Sequence, residues 1–200
     1  LAPDQIKPFI EDLRLYGSYA HGTHVAGIAA AGNPFIRLLP VRMTFDYHIL
    51  PICPTLERAK AEARGYDQVV KYLKQHNVRV VNMSWGGNRQ SIENELEKNA
   101  AGGSAEERAE LARKIFRIDR DALYAALKNA PEILFVASAG NADNDVEFDE
   151  MIPSGFDLPN LLVVGAVDQA GDPTDFTSFG RTVSVYANGF EVESYVPGGA

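Results

Sequence analysis

Cysteine is almost absent from this chain of 200 residues, which contains only Cys53. A single cysteine excludes an internal disulfide, so a buried apolar core must hold the fold together. It does not identify the compartment, because many exported proteins also lack disulfides.

Long apolar runs are missing too. No stretch approaches the roughly 20 residues of a membrane span, and residues 1–20 lack the basic start and apolar stretch of a signal peptide. We therefore expect no transmembrane segment, and we expect any signal peptide to lie upstream of Leu1.

Positive charge is also scarce. The formal net charge is −8, and no run of lysine and arginine is longer than two residues. Such a surface does not attract nucleic acid or an anionic membrane over long range, so we expect neither as a partner. The 46% hydrophobic content is enough for one sizeable core, which predicts a single globular domain over residues 1–200.

Short apolar runs alternate with helical patterns along the chain. This layout predicts an α/β fold of three layers, with a mostly parallel sheet and helices on both faces. Between the first two runs, apolar residues from Leu56 to Leu73 recur every three or four positions, which predicts a helix that ends near Asn77. The predicted strands are Ile36–Met43, Val78–Met83, Ile133–Ala137, Leu161–Val164 and Thr182–Tyr186.

Residues 88–131 are strongly charged and have a helical pattern. Ser104 and Glu107 form a capping-box pair ahead of a long apolar helical face, and Pro131 ends the pattern. A shorter amphipathic segment, Ser91–Lys98, precedes it. We interpret 88–131 as a helical insertion beside the sheet.

Two of the four histidines lie three residues apart in the segment GSYAHGTHVAGIAA, residues 17–30. On one helix face His21 and His24 could share a zinc ion, but neither Cys53, His48 nor His76 supplies a further ligand at a metal-site spacing, so we expect no metal site. Gly17 and Ser18 have turn or cap character. His21 would then lie near the first turn of a helix, where the dipole favours the neutral imidazole that a general base needs. Two histidines packed in a tight helix remain the alternative.

The heptapeptide from His21 to Gly27, His-Gly-Thr-His-Val-Ala-Gly, resembles the histidine motif of the subtilisin-like serine proteases, or subtilases. The resemblance implies that His21 is the catalytic general base and that His24 is a packed histidine.

Two further segments resemble subtilase motifs. Val80–Gly87 resembles the strand and turn whose backbone pairs with an extended substrate, which implies that Ser84, Trp85 and Gly86 bind substrate. Ile133–Asn141 resembles the strand that leads to the oxyanion asparagine, which implies that Asn141 is the oxyanion donor and that Ala139 and Gly140 line the substrate site. By themselves, Trp85 could equally be a core residue, and Ala-Gly-Asn is more typical of an ordinary turn.

The likeness covers about residues 13–200 and includes only one member of the Asp-His-Ser triad. Asp4 and Asp12 lack the apolar strand and the following Thr-Gly or Ser-Gly of the subtilase aspartate. Ser178, Ser184 and Ser194 lie outside any Gly-Thr-Ser-x-Ala motif and are expected to be structural or exposed. We therefore expect a catalytic domain truncated at both ends and inactive alone. A non-catalytic protease-like scaffold or peptide-binding module is the alternative.

The resemblance also bears on cofactors and partners. It implies no cofactor for the chemistry, peptide or protein substrates, a possible prodomain, and secretion or placement in the periplasm or cell envelope. Structural calcium is a further possibility that the family suggests. The acidic positions after the oxyanion asparagine could bind it or favour a basic substrate residue, but a solvated acidic loop is the interpretation we favour. These positions are Asp143, Asp145, Glu147, Asp149 and Glu150.

Overall fold

The computed structural model describes residues 2–42 and 52–199. The chain divides into two compact units, Leu1–Ile52 with Val192–Ala200, and Cys53–Glu191, which we call the first and the second unit. The single domain over residues 1–200 stays a prediction. No helix within the described ranges is long and apolar enough to cross a membrane.

The first unit is built on one long helix, α1, Pro3–Ala30. The predicted turn at Gly17 and Ser18 is wrong, because both residues lie inside this helix. Each glycine in a helix interior costs only about 1 kcal/mol, which the surrounding helix can absorb. The predicted strand Ile36–Met43 is also wrong over 36–42, and Met43 lies outside the described residues. An extended segment becomes a strand only with a ladder partner, and residues 36–42 have none among the described residues.

The second unit contains a four-stranded sheet in the order β1-β2-β3-β4, with every neighbouring pair parallel. This confirms the predicted α/β class and the parallel sheet. The register places Met83 beside Ala137 and Ser138 beside Val164, so the carboxyl ends of β1, β2 and β3 meet at one edge. The strands are β1, Val80–Met83; β2, Leu134–Ser138; β3, Leu161–Val167; and β4, Val183–Asn188.

Two helices cover one face of this sheet. Helix α2, Leu56–Gln75, confirms the helix predicted between the first two apolar runs, and it contributes Val70 and Leu73 to the core. Helix α4, Ala105–Lys128, packs beside it. Phe135 and Ala137 lie two positions apart on β2, so their side chains share one face of the sheet and point into the same core. Each is 1% exposed.

The helical interpretation of 88–131 is confirmed at the level of secondary structure. Helix α3, Arg89–Lys98, begins at the cap Asn88, and α4 begins at Ser104. The predicted capping box is present, because the Glu107 backbone N–H donates to Ser104 Oγ and the Ser104 N–H donates to the Glu107 carboxylate.

A carboxyl group is partly buried between α2 and α4. Asp119 of α4 accepts a hydrogen bond from the Tyr66 hydroxyl of α2 at 3.3 Å. Burial, together with the negative charge of Glu62, raises the pKa of Asp119 to about 6. Burial and the neighbouring Asp119 carboxylate likewise raise the pKa of Tyr66. The folded protein therefore holds a proton on Asp119 at a pH where the unfolded chain has lost it.

We expect Asp119→Asn to stabilise the protein above pH 6. Because the pKa of Asp119 is raised on folding, the folded protein loses stability as the pH rises from about 4 to about 6. The asparagine amide does not ionise, so it removes this loss, and its oxygen still accepts the hydrogen bond from Tyr66. Discounted for partial exposure, the gain in the free energy of unfolding is about 1–2 kcal/mol at pH 8 and close to zero at pH 3.5. Urea unfolding at both pH values measures this gain.

The control is Asp121→Asn, which changes an exposed carboxyl on the same helix. An equal gain for Asp119→Asn at both pH values contradicts the raised pKa of Asp119.

Candidate functional site

The segment after β1 has an unpaired backbone. Ser84, Trp85 and Gly86 make no backbone hydrogen bond to any residue of the second unit, although β1 itself pairs with β2. The next residue, Gly87, is fixed by mutual hydrogen bonds with Ile152 at 3.1 and 2.9 Å. The approach is close enough that a side chain at Gly86 would collide with the Ile152 carbonyl. The free N–H and C=O groups are therefore held in place while remaining available to an extended peptide.

Asn141 lies just beyond the end of β2, the strand next to β1. Ala139 donates its N–H to the Val164 carbonyl of β3 at 2.8 Å, and Gly140 adopts a φ of 123°, which strongly favours glycine. The Asn141 side chain is exposed and makes no hydrogen bond within the second unit. Its amide N–H groups are thus free donors at the carboxyl edge of a parallel sheet, where such folds bind ligands.

Four of the five acidic residues after Asn141 are engaged by protein donors, namely Asp145, Glu147, Asp149 and Glu150. Asp145 Oδ1 accepts from the backbone N–H groups of Glu147 and Phe148, and Asp149 Oδ2 accepts from the Asn144 amide at 2.7 Å. Across the described residues, no group of three or more His, Cys, Asp and Glu side chains could hold a metal ion. Structural calcium at these positions stays a prediction.

Two of these acids also pair with arginines. The Glu147 carboxylate contacts the Arg181 guanidinium at 3.0 Å, and Glu150 contacts Arg120 at 3.5 Å. Both pairs are accessible to solvent on at least one side and contribute at most about 1 kcal/mol each. The loop is therefore held by its own hydrogen bonds and ion pairs.

His21 lies on α1 in the first unit. It is exposed and sits in the second half of the helix, so the expected position near the first turn of a helix is wrong. His24, one turn later, is half-buried, and its carbonyl accepts a hydrogen bond from Ser194 Oγ at 2.8 Å. Ser194 and Tyr195 lie directly against Gly27, so the small residue permits the contact.

The second unit brings together the predicted substrate residues Ser84–Gly86 and the predicted oxyanion residues Ala139–Asn141 at neighbouring strand ends. The roles of His21 and these residues stay predictions. Trp85 is 38% exposed, so it is not a core residue. Ser178, by contrast, is fully buried and hydrogen-bonded to the loop that carries Asn141, so of the two expectations for it, structural or exposed, the structural one is confirmed.

Comparison with known proteins decides the family. The model of the subtilase family, peptidase S8, matches residues 12–198 of the chain. The chain belongs to the subtilase family.

This subtilase is 27% identical over 183 residues to a thermostable alkaline protease of Halalkalibacterium halodurans and 26% identical over 179 residues to alkaline elastase YaB of a Bacillus species. The matches cover 89% of the chain in both cases but only 40% and 38% of the two relatives. The chain thus spans about two fifths of their length. The structure of the self-cleaved protease domain of PatA aligns with a TM-score of 0.46 at 24% identity, covering 71% of this chain and 43% of that chain.

Proposed function

We propose that the full-length protein is a serine endopeptidase. Membership of the subtilase family supports the reaction class. The observation that carries the proposal is the free Asn141 amide beside the unpaired Ser84–Gly86 backbone at the carboxyl edge of the sheet. These groups would hold an extended peptide by its main chain and offer a donor to the negative oxygen that forms when a carbonyl is attacked.

In the proposed reaction, His21 is the general base and Asn141 is the oxyanion donor. His21 takes the proton of the nucleophilic serine as that serine attacks the scissile carbonyl. Asn141 donates a hydrogen bond to the oxyanion, His21 returns the proton to the leaving amine, and water then hydrolyses the acyl-enzyme. The aspartate and serine of the triad are proposed to lie outside residues 1–200, because neither of their motifs occurs in this sequence.

The proposal extends to partners and location. Peptides or proteins are the proposed substrates, a prodomain is a proposed partner, and the chemistry requires no cofactor. Secretion, or placement in the periplasm or cell envelope, is proposed from the family resemblance.

Fluorophosphonate labelling tests the reaction class. We expect the full-length protein to be labelled covalently on serine and to hydrolyse a protein substrate, with prior labelling blocking hydrolysis. Prior reaction with a fluorophosphonate inactivates serine hydrolases because it occupies the activated nucleophile. A protein that binds peptides but neither labels nor hydrolyses would instead be the non-catalytic peptide-binding scaffold.

A further inference from the structure

Ser178 is a buried polar residue that the proposed reaction does not use. It is 0% exposed, yet its hydroxyl and backbone contact the loop that carries Asn141 at three points. Burying a hydroxyl costs free energy unless it is hydrogen-bonded. The partners of the Ser178 hydroxyl, as donor and as acceptor, therefore show which groups it fixes.

The three contacts bracket Asn141 on both sides. The Ser178 N–H donates to the Gly140 carbonyl at 3.1 Å, immediately before Asn141. Its Oγ accepts from the Ala142 N–H at 3.3 Å, immediately after Asn141, and donates to Asn144 Oδ1 at 2.5 Å. The backbone before Asn141 is therefore fixed to the Ser178 backbone, and the backbone after Asn141 is fixed to the Ser178 hydroxyl.

Neighbouring groups hold Ser178 and its partner in turn. The Asn144 amide donates to Asp149 at 2.7 Å, which turns its oxygen toward Ser178. The adjacent Thr177 Oγ1 accepts from the Ala166 N–H of β3 at 2.8 Å, which fixes the Ser178 segment to the sheet. Ser178 Oγ also occupies the space that a side chain at Gly140 would need, which explains the glycine there.

Asn141 itself has no such support. Its exposed amide makes no hydrogen bond within the second unit, so the amide's position depends on the backbone of residues 140–142. An oxyanion donor is effective only when it is preorganised, and a misplacement of about 1 Å can cost about 10²-fold in rate.

We propose that Ser178 is a positioning residue that holds the Asn141 amide in place for oxyanion binding, an inference that rests on the proposed endopeptidase function. It acts through the backbone of residues 140–142 and touches no reacting atom.

Steady-state kinetics of the full-length protein on a peptide substrate test the inference. We expect Ser178→Ala to lower kcat about 10- to 100-fold and to change KM by less than about threefold, because the misplaced donor matters chiefly in the transition state. In the Asn141→Ala background, we expect the same substitution to have no further effect on kcat. Ser184→Ala removes an exposed hydroxyl from the same unit and is the matched control, with unchanged kcat.

A second variant guards against loss of folding. Asn144→Ala removes the acceptor of the Ser178 hydroxyl and changes a partly exposed residue. We expect it to lower kcat as Ser178→Ala does, and we expect the double variant to lose less than the sum of the two effects. All rates are measured well below the unfolding midpoint of each variant.

The outcomes separate the inference from the proposed function. An active wild-type enzyme whose kcat is unchanged in Ser178→Ala, or falls equally with and without Asn141, overturns the positioning role and leaves the endopeptidase assignment intact. A wild-type protein that neither hydrolyses peptides nor labels with fluorophosphonate overturns both.

Discussion

His21→Ala is expected to abolish fluorophosphonate labelling of the full-length protein and to lower kcat about 10⁶-fold, the magnitude known for loss of the catalytic histidine in subtilisin itself. The reason is that a serine hydroxyl is a weak nucleophile until a base removes its proton during attack. KM should change little, because the imidazole contributes to the transition state far more than to substrate binding. The measurements are single-substrate kinetics and gel-based labelling.

The same helix supplies the matched control. His24 lies three residues after His21 on α1 and is half-buried, and the hydrogen bond from Ser194 goes to its backbone carbonyl, which His24→Ala retains. We expect His24→Ala to label and to turn over within about threefold of wild type, with a loss of stability of about 1 kcal/mol. Normal labelling of His21→Ala would remove His21 from the mechanism, and loss of labelling in both variants would indicate that the substitutions disturb α1 and do not report on a base.

Asn160→Asp is expected to destabilise the second unit by about 3–5 kcal/mol at pH 7. Asn160 is 8% exposed, and its amide nitrogen donates to three carbonyl oxygens, of Leu127 at 3.0 Å, Ala130 at 2.9 Å and Ile133 at 3.3 Å. These carbonyls lie in the last turn of α4 and in the segment that leads into β2, so this amide replaces hydrogen bonds that a helix end loses. An aspartate there has no donor and places a negative charge against three carbonyl oxygens.

Urea unfolding at pH 7 and pH 4.5 measures this effect. We expect the deficit to shrink at pH 4.5, because protonation removes the charge and restores one donor. Asn188→Asp is the control, since Asn188 is exposed and its side-chain oxygen accepts from the Phe190 N–H, which a carboxylate does equally well. Equal unfolding midpoints for Asn160→Asp and wild type would show that the three contacts contribute nothing.

Patterns that depend on neighbouring residues were predicted well. The capping box of Ser104 and Glu107 and the apolar runs of β1 to β4 were predictable because each is set within a few residues. The strand expected at 36–43 failed over its described part because a strand depends on a partner elsewhere in the chain. The turn expected at Gly17 and Ser18 failed because the helical cost of glycine is smaller than the gain from continuing the helix.

The candidate site was likewise predictable in part. The motif around His21 and the motif that ends at Asn141 are each a continuous run of residues, so the family and the expected roles followed from these runs alone. The unpaired state of the Ser84–Gly86 backbone and of the Asn141 amide is a property of the folded sheet edge.

By itself, the sequence determined the subtilase motifs, the α/β class and most of the helices and strands, because short-range periodicity, caps and contiguous motifs encode them. Only the tertiary structure decided which buried polar groups are partnered. Asp119 meets Tyr66 across 53 positions of sequence, Asn160 meets Leu127 across 33, and Ser178 meets Asn144 across 34. Such pairs form because packing the helices on the sheet removes water from these groups, and each must then find a partner that no local pattern specifies.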